Sequence, residues 1–250
     1  VQIIFQNPLA DPYIIGIASS ATFGAVIAYL LKLPEFFYGI VAFICCMVST
    51  LLIFKISKRG NKIEVNTLLI VGITLSSFLA GFTSFAIYMI GEDSFKITMW
   101  LMGYLGNASW NQIVFLIIPL IFSSAYFYAK RNELDILMLG DEQAHSLGID
   151  IAKLKFHLLI VSSFVVAYSV AFTGMIGFVG LIVPHIMRSI IGPLNTRLIP
   201  FVLIYGGIFL LVCDTFGRII LAPVEIPIGV ITSILGAPFF LYLALKGRRK

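Results

Sequence analysis

Residues 65–90 read VNTLLIVGITLSSFLAGFTSFAIYMI, a continuous run without a single charged side chain. A helix of about 20 apolar residues crosses the hydrocarbon core of a bilayer, so this run is long enough to span a membrane. Its apolar residues do not alternate with polar ones as they would in a barrel strand, and lipid tolerates only helices or closed barrels. The run therefore predicts a transmembrane helix.

Similar runs fill the rest of the chain, in which 60% of the 250 residues are hydrophobic and 12% are charged. Soluble domains carry roughly 25% charged residues, so the composition excludes an ordinary soluble fold. Apolar runs bounded by charges, Pro or Gly predict about eight spans, at 13–31, 36–54, 65–90, 111–129, 154–173, 175–191, 199–221 and 226–245. The sequence thus predicts an all-α fold, a polytopic transmembrane helix bundle that forms a single domain over residues 1–250.

The basic residues indicate how the bundle is oriented. If the spans alternate in direction, most basic residues fall on one side, in the connectors 55–64, 130–153 and 192–198, at the adjoining helix ends and in the C-terminal tail: Lys55, Lys58, Arg59, Lys62, Lys130, Arg131, Lys153, Lys155, Arg188, Arg197, Lys246, Arg248, Arg249 and Lys250. The other three, Lys32, Lys96 and Arg218, complete the 17 Lys and Arg residues. Because cytoplasmic loops are enriched in Lys and Arg, this asymmetry predicts a multi-pass protein of the cell inner (cytoplasmic) membrane with both termini cytoplasmic. Short clusters between spans also argue against a nucleic-acid surface as the origin of the net charge of +5.

A few ionisable residues lie within or beside the predicted spans. Asp214 and Arg218 are four residues apart on one helix face, which favours a structural ion pair near the outer surface over a proton or ion site. Glu225 begins the last predicted span, where the helix macrodipole favours a carboxylate. His185 has no second ligand nearby in the sequence, so a hydrogen-bonded structural role is expected rather than a metal site.

The sixth predicted span is irregular. It opens with Gly174, Gly177 and Gly180 at a spacing of three, and Pro184 follows in its middle. Glycines at this spacing permit close helix packing, and the proline predicts a kinked, buried helix. A nucleotide-binding loop would need a preceding strand, and none is predicted here.

The longest polar connector, residues 130–153, is predicted to contain a short amphipathic helix. Asp141 and Glu142 would begin this helix, Ala144 and Leu147 would form one apolar side, and Gly148 would end it. From the residues alone, a solvated loop and a docking surface for a partner are equally compatible with this pattern. The chain contains no Walker-type phosphate-binding motif, so any ATP chemistry must come from another chain.

The three cysteines all lie inside apolar runs, at Cys45, Cys46 and Cys213. Adjacent cysteines do not bridge easily, and the spacing does not suggest a metal site. They are interpreted as reduced packing residues.

Four stretches resemble the FecCD family, the permease subunits of ABC importers for iron–siderophores, haem, cobalamin and, in some members, molybdate. They are Asn7-Pro8-Leu9-Ala10-Asp11-Pro12 with Gly16; Gly140-Asp141-Glu142 with Ala144, Leu147 and Gly148; Gly177-Phe178-Val179-Gly180-Leu181 with Pro184-His185 and Arg188; and Glu225-Ile226-Pro227-Ile228-Gly229 with Leu235-Gly236-Ala237-Pro238. Their order and spacing extend the resemblance over nearly the whole chain.

The resemblance implies a non-enzymatic translocation subunit that forms homodimers or pseudo-dimers of ten-helix subunits. The substrate it implies first is a ferric siderophore, with cobalamin, haem or molybdate as alternatives. This chain would bind no cofactor or metal, while separate ATPase subunits would bind ATP and magnesium, and a periplasmic or lipoprotein binding protein would deliver the substrate. Family members carry two further helices and a basic segment before the motif at 7–12, so the resemblance implies either an N-terminal truncation or another arrangement that fills the gap.

The resemblance also implies roles for particular residues. The pathway would be lined largely by the spans 65–90 and 226–245. The connector 130–153 would be the cytoplasmic coupling loop that docks on the ATPase, through Gly140, Asp141, Glu142, Ala144, Leu147 and Gly148. Glu64, Val65, Asn66 and Thr67 would lie at the cytoplasmic gate, and Arg218 and Lys96 would meet the binding protein. Asp214, Pro184, His185, Arg188 and Glu225 would be structural residues within the membrane.

Two other classes of protein are less compatible with the sequence. An ion-coupled secondary transporter normally needs a cation or proton site near the midplane, and Asp214 lies too near the outer surface to supply one alone. An intramembrane enzyme would need a catalytic motif, but the spans contain neither His-Glu-x-x-His nor Gly-x-Ser-x-Gly.

Overall fold

The computed structural model describes residues 2–5, 11, 16–59, 62–91, 94–106 and 108–247. Within these residues the chain forms helices α1 (Ile17–Leu30), α2 (Glu35–Ser57), α3 (Val65–Ile90), α4 (Ser94–Leu101), α5 (Trp110–Ala129), α6 (Arg131–Leu137), α7 (Asp141–Ser146), α8 (Ile151–Thr173), α9 (Val179–Ile191), α10 (Asn195–Ile219) and α11 (Ile228–Gly247). Strands β1 (Lys58–Arg59) and β2 (Lys62–Ile63) form a small antiparallel hairpin between α2 and α3.

Each of the eight predicted spans corresponds to one helix of the bundle, and the predicted all-α membrane fold is confirmed. Of the described helices, five are long and apolar enough to cross a membrane: α2, α3, α5, α8 and α10. Helices α1, α9 and α11 are apolar but shorter in their described parts. Helices α4, α6 and α7 are short and lie in the connectors.

Small residues let α1 pack in the centre of the bundle. Ala18 and Ala21 are completely buried. At Gly24 an added Cβ would lie only 2.7 Å from the Cα of Ala42, so the backbones of α1 and α2 touch at this point. Small residues commonly allow such close approach in membrane proteins, where dispersion rather than the hydrophobic effect holds helices together.

The interface between α2 and α8 contains Cys46. The Cys46 thiol lies 3.6 Å from the carbonyl oxygen of Ser163, whose hydroxyl is 2.8 Å from the hydroxyl of Thr50. Cys45, Cys46 and Cys213 are all free. The burial of Cys46 and Cys213 agrees with the predicted packing role, whereas Cys45 is half-buried.

The sixth span differs from its prediction in two ways. Helix α9 begins at Val179 rather than at residue 175, because Gly174 ends α8 with a φ of +69° and Phe178 also has a positive φ of 66°. An added Cβ at Gly177 or Gly180 would meet nothing within 4 Å. The predicted close packing is thus wrong for these two glycines within the described residues, although it holds for Gly174.

Candidate coupling and translocation sites

The predicted coupling connector folds into the two short helices α6 and α7. Helix α7 begins at Asp141, as predicted, and Gly148 with a φ of +82° ends it. The Gly148 amide donates to the His145 carbonyl at 3.0 Å, and the Ile149 amide donates to the Ala144 carbonyl at 3.1 Å. This is the hydrogen-bond pattern of a Schellman cap, which satisfies the last carbonyl groups of a helix.

The two faces of α7 have different surroundings. Ala144 is completely buried, whereas the side chains of Glu142, Gln143 and His145 are exposed. Leu147 is 62% exposed, so the prediction that it shares an apolar side with Ala144 is wrong. The physical reason is that α7 ends at residue 146, and the turn that follows directs Leu147 outward.

Two polar contacts attach α6 and α7 to longer helices. The Lys155 ammonium of α8 lies 2.7 Å from Asp141 Oδ2 and is only 1% exposed. Asp135 Oδ1 of α6 accepts from the backbone amide of Asn195 at 2.9 Å and from its Nδ2 at 2.6 Å. Sequence reasoning treated Lys155 only as a cytoplasmic charge and did not single out Asp135 or Asn195. A signal was available, since a lysine that follows an acidic connector into an apolar span often has a carboxylate partner.

The predicted gate segment lies where the hairpin leads into α3. The Glu64 amide donates to the Ser57 carbonyl at 3.0 Å, and Thr67 Oγ1 donates to Glu64 Oε2 at 2.9 Å. Glu64 and Asn66 are exposed, while the side chain of Val65 lies outside the described residues. The carboxylate is well placed at the N-terminus of α3, and the gate role stays a prediction.

At the opposite end of the bundle, three backbone segments meet. They are joined by hydrogen bonds from Tyr104 N to Thr173 O at 3.0 Å, from Met175 N to Leu101 O at 3.3 Å, and from Ile228 N to Gly103 O at 3.0 Å. We call this arrangement the outer junction. It ties the connector after α4 to the end of α8 and the start of α11.

Glycines make the outer junction sterically possible. A Cβ at Gly174 would collide with the Trp100 carbonyl oxygen, and a Cβ at Gly229 would collide with the Met102 carbonyl oxygen. At Gly103 an added Cβ would lie 2.8 Å from the Met175 carbonyl oxygen. Only backbone without side chains can approach this closely.

A cavity of about 750 Å³ lies beside the outer junction. Its walls are mostly apolar and include Met102 and Phe178, while the polar residues in the lining are Asp11, Thr98 and Ser233. Sites for small molecules typically have this size and are apolar with a few placed polar groups.

A polar cluster closes the same end of the bundle. Arg218 Nε lies 2.8 Å from Asp214 Oδ2, as the predicted ion pair requires, and Arg218 Nη1 lies 3.7 Å from Glu225 Oε1. The Tyr104 hydroxyl donates to Glu225 Oε2 at 2.8 Å, and this hydrogen bond to a carboxylate raises the pKa of Tyr104. Glu225 does not begin the last helix, because α11 starts at Ile228, so its predicted capping role is wrong.

Of the two residues predicted to contact the binding protein, the structure describes the side chain of Arg218 but not that of Lys96. Arg218 is 43% exposed and lies between two carboxylates. Lys96 belongs to α4, and its side chain lies outside the described residues. The motif residues 7–10 and 12 also lie outside the described residues. Docking at this face stays a prediction.

His185 and Arg188 of α9 contact two different parts of the chain. The His185 ring packs edge-on against Phe239 of α11, with ring centroids 5.7 Å apart, and Pro184 lies inside α9. No hydrogen bond to His185 occurs in the described part of the chain, so the predicted hydrogen-bonded role is replaced by an aromatic contact. Arg188 Nη2 donates to Gln2 Oε1 at 2.6 Å. The described residues contain no cluster of three His, Cys, Asp or Glu side chains that could hold a metal.

This architecture is that of a multi-pass α-helical membrane protein with two short connector helices at one end and a glycine-lined junction at the other. The FecCD transport family model matches residues 1–246, and the chain belongs to that family. A transport family agrees with the predicted translocation role.

Two curated relatives show how far the similarity extends. The cobalamin import system permease protein of Halobacterium salinarum is 38% identical over 97% of this chain and 66% of the relative. The hemin transport system permease protein of Yersinia pestis is 34% identical over 100% of this chain and 77% of the relative. The chain therefore spans about two thirds to three quarters of the length of these relatives.

One solved structure has the same fold. It is described as an inward-facing conformation of a metal-chelate type ABC transporter, and it superposes with a TM-score of 0.90 at 30% sequence identity. The match covers 98% of this chain and 79% of the other.

Proposed function

We propose that this chain is the permease subunit of an ABC importer that moves a metal chelate across the cytoplasmic membrane. The observation that carries the proposal is α7, whose buried face is fixed to the bundle while Glu142, Gln143 and His145 are presented outward. A short helix that is fixed on one side and exposed on the other is suited to bind an ATPase subunit and to transmit its movement.

ATP hydrolysis is assigned to that partner. The chain has no phosphate-binding motif, so ATP and magnesium are bound by a separate ATPase subunit, and the chain itself binds no cofactor. ATP-driven closure of the ATPase would shift the permease between inward-open and outward-open states. A substrate-binding protein delivers the chelate to the outer face, near Arg218 and Lys96.

The proposed substrate class is a bulky metal chelate of the cobalamin or haem type. Two relatives named above are permeases for cobalamin and hemin, and this supports that class over the ferric siderophore expected from the sequence. The apolar cavity beside the outer junction agrees with recognition of a large chelate by shape rather than by many charges.

The proposed assembly contains two copies of the permease. Helix α3 packs mainly on α1 and α2, and its other side exposes large rings such as Phe78 and Phe85. Helix α11 packs on α9 and α10 and exposes Leu241 and Tyr242. Two copies with these faces toward one another would enclose a pathway lined by α3 and α11.

Capture of an ATPase tests the proposal. The tagged chain is co-expressed with candidate ATPase subunits and purified in detergent, in parallel with a Glu142→Arg variant. Asn111→Arg is the matched control, because Asn111 is exposed at the opposite end of the bundle. We expect a stoichiometric complex with the parent chain and the control, and its loss with Glu142→Arg. A parent chain that captures no ATPase would overturn the proposal.

The substrate class is tested separately by uptake into proteoliposomes that contain the complex, its binding protein and internal ATP. Labelled cobalamin, haemin and a ferric siderophore are offered one at a time. Uptake of the siderophore alone would contradict the proposed substrate class.

A further inference from the structure

The α6–α7 pair is attached to α8 through a buried charge. Lys155 is 1% exposed, and its ammonium group lies 2.7 Å from a carboxylate oxygen of Asp141. A buried ammonium is costly unless it is paired, so this contact strongly restricts the position of α7 relative to α8. Asp141 itself is 42% exposed and keeps contact with solvent.

The same pair is attached to α10 through a helix cap. One oxygen of Asp135 accepts both the backbone amide and the side-chain amide of Asn195, the first residue of α10. Asn195 is only 3% exposed. A carboxylate at a helix N-terminus satisfies a free amide and is favoured by the macrodipole.

Apolar packing joins the two attachments into one body. Leu137 of α6 and Ala144 of α7 are completely buried and belong to the same core as Leu158 of α8. The backbone between α6 and α7 is short, with the Gly140 amide donating to the Leu137 carbonyl at 3.3 Å. The pair therefore has little freedom to move independently of its anchors.

The two anchored helices lead into different parts of the bundle. Helix α8 packs on α1 and α2, whereas α10 packs on α9 and α11, and α5 contacts both α8 and α10. A displacement of α7 would therefore reach both groups of helices at once.

We propose that the α6–α7 pair is a two-point coupler, in which Asp141–Lys155 and Asp135–Asn195 transmit the movement of α7 to α8 and α10 as one body. These four residues are positioning residues, and Asp141 acts within the permease rather than as a contact to the ATPase. The inference rests on the proposed function, because it assigns the contacts through which the connector transmits the movement of the ATPase to the transmembrane helices.

The test compares Lys155→Met with Lys153→Met in the complete reconstituted complex. Methionine fills the buried site without a charge, and the half-exposed Asp141 stays solvated, so folding is expected to survive. Lys153 is the matched control, because it is 78% exposed and pairs with Asp150 at 3.0 Å in the same turn of α8. Lys155→Arg is the conservative variant.

For Lys155→Met we expect unchanged capture of the ATPase and at least a tenfold loss of substrate transported per ATP hydrolysed. Lys153→Met should keep the parent ratio, and Lys155→Arg should recover a large part of it. Asn195→Ala should lower the ratio independently, and the double variant should lower it further than either single variant. A merely structural role would reduce capture and transport together.

Three outcomes would overturn the inference. One is a transport ratio for Lys155→Met within twofold of the parent. Another is a loss of ATPase capture equal to the loss of transport, which would make the pair part of the docking surface. The third is hydrogen exchange of the α7 amides that is the same in Lys155→Met as in the parent chain, when each permease is measured without its partner subunits. If Lys155→Met does not fold, Asp141→Asn is tested by the same criteria. A parent chain that captures no ATPase would instead contradict the proposed function, and the exchange measurement would still decide the anchoring.

Discussion

At the scale of single residues, the outer junction requires glycine at position 174, both for its backbone conformation and for the lack of a side chain. Its φ is +69°, and an added Cβ would collide with the Trp100 carbonyl oxygen. We expect Gly174→Ala to destabilise the protein by roughly 1–3 kcal/mol, because a residue with a Cβ is strained in this region and the backbone contact cannot relax. Thermal unfolding in detergent measures the change.

Gly177→Ala is the control for this substitution. Gly177 has no positive φ, and an added Cβ meets nothing within 4 Å. Its effect should stay within about 0.5 kcal/mol. Equal destabilisation by the two variants would contradict the steric account of the outer junction.

The contact between Tyr104 and Glu225, at the same end of the bundle, makes the stability of the protein depend on pH. The hydrogen bond to Glu225 and the charge of that carboxylate favour the protonated phenol and raise the pKa of Tyr104. The folded state then holds this proton more tightly than the unfolded state. The stabilisation is complete below the ordinary tyrosine pKa of about 10 and is lost as the pH rises through the higher folded value.

We therefore expect Glu225→Gln to lower the pKa of Tyr104 and to make stability fall less steeply above about pH 10. Ultraviolet difference titration of tyrosinate in folded protein measures the pKa, with Tyr104→Phe identifying the contribution of this residue. Superimposable titrations of the parent chain and Glu225→Gln would show that the contact does not affect the phenol.

At the scale of elements, the end of α7 depends on Gly148. A φ of +82° costs a residue with a Cβ roughly 1–2 kcal/mol. Gly148→Ala should therefore loosen the end of α7, seen as faster hydrogen exchange of its amides, with little change in the global unfolding temperature. Gly206→Ala in α10 is the control, since its added Cβ meets nothing within 4 Å and alanine favours the helix by about 1 kcal/mol. Faster α7 exchange in that control as well would argue against a local effect.

At the scale of the whole molecule, the charge asymmetry predicts which side of the membrane each connector occupies. Single cysteines are placed at exposed positions by His145→Cys and Val224→Cys, in a background where the three natural cysteines are alanine. Val224 is 65% exposed. In intact cells, a membrane-impermeant thiol reagent should label the cysteine at position 224, and the one at position 145 only after permeabilisation. The reverse pattern would invert the proposed topology.

The sequence by itself determined the class of the protein and the number of its apolar helices. Long uncharged runs have one stable state in lipid, because every backbone amide and carbonyl must be satisfied within the segment. For the same reason the Asp214–Arg218 pair was predictable, since residues four apart on a helix are neighbours whatever the helix packs against. The beginning of α7 at Asp141 and its end at Gly148 were also local properties.

Only the tertiary structure decided the contacts between residues distant in the chain. Lys155 meets Asp141, Asp135 caps α10 at Asn195, and Glu225 binds Tyr104 instead of beginning α11. The outward direction of Leu147 and the late start of α9 likewise depend on how neighbouring segments close around them. The physical reason is that periodicity fixes which residues share a face of one helix, whereas the partner of that face is chosen by the packing of the whole bundle.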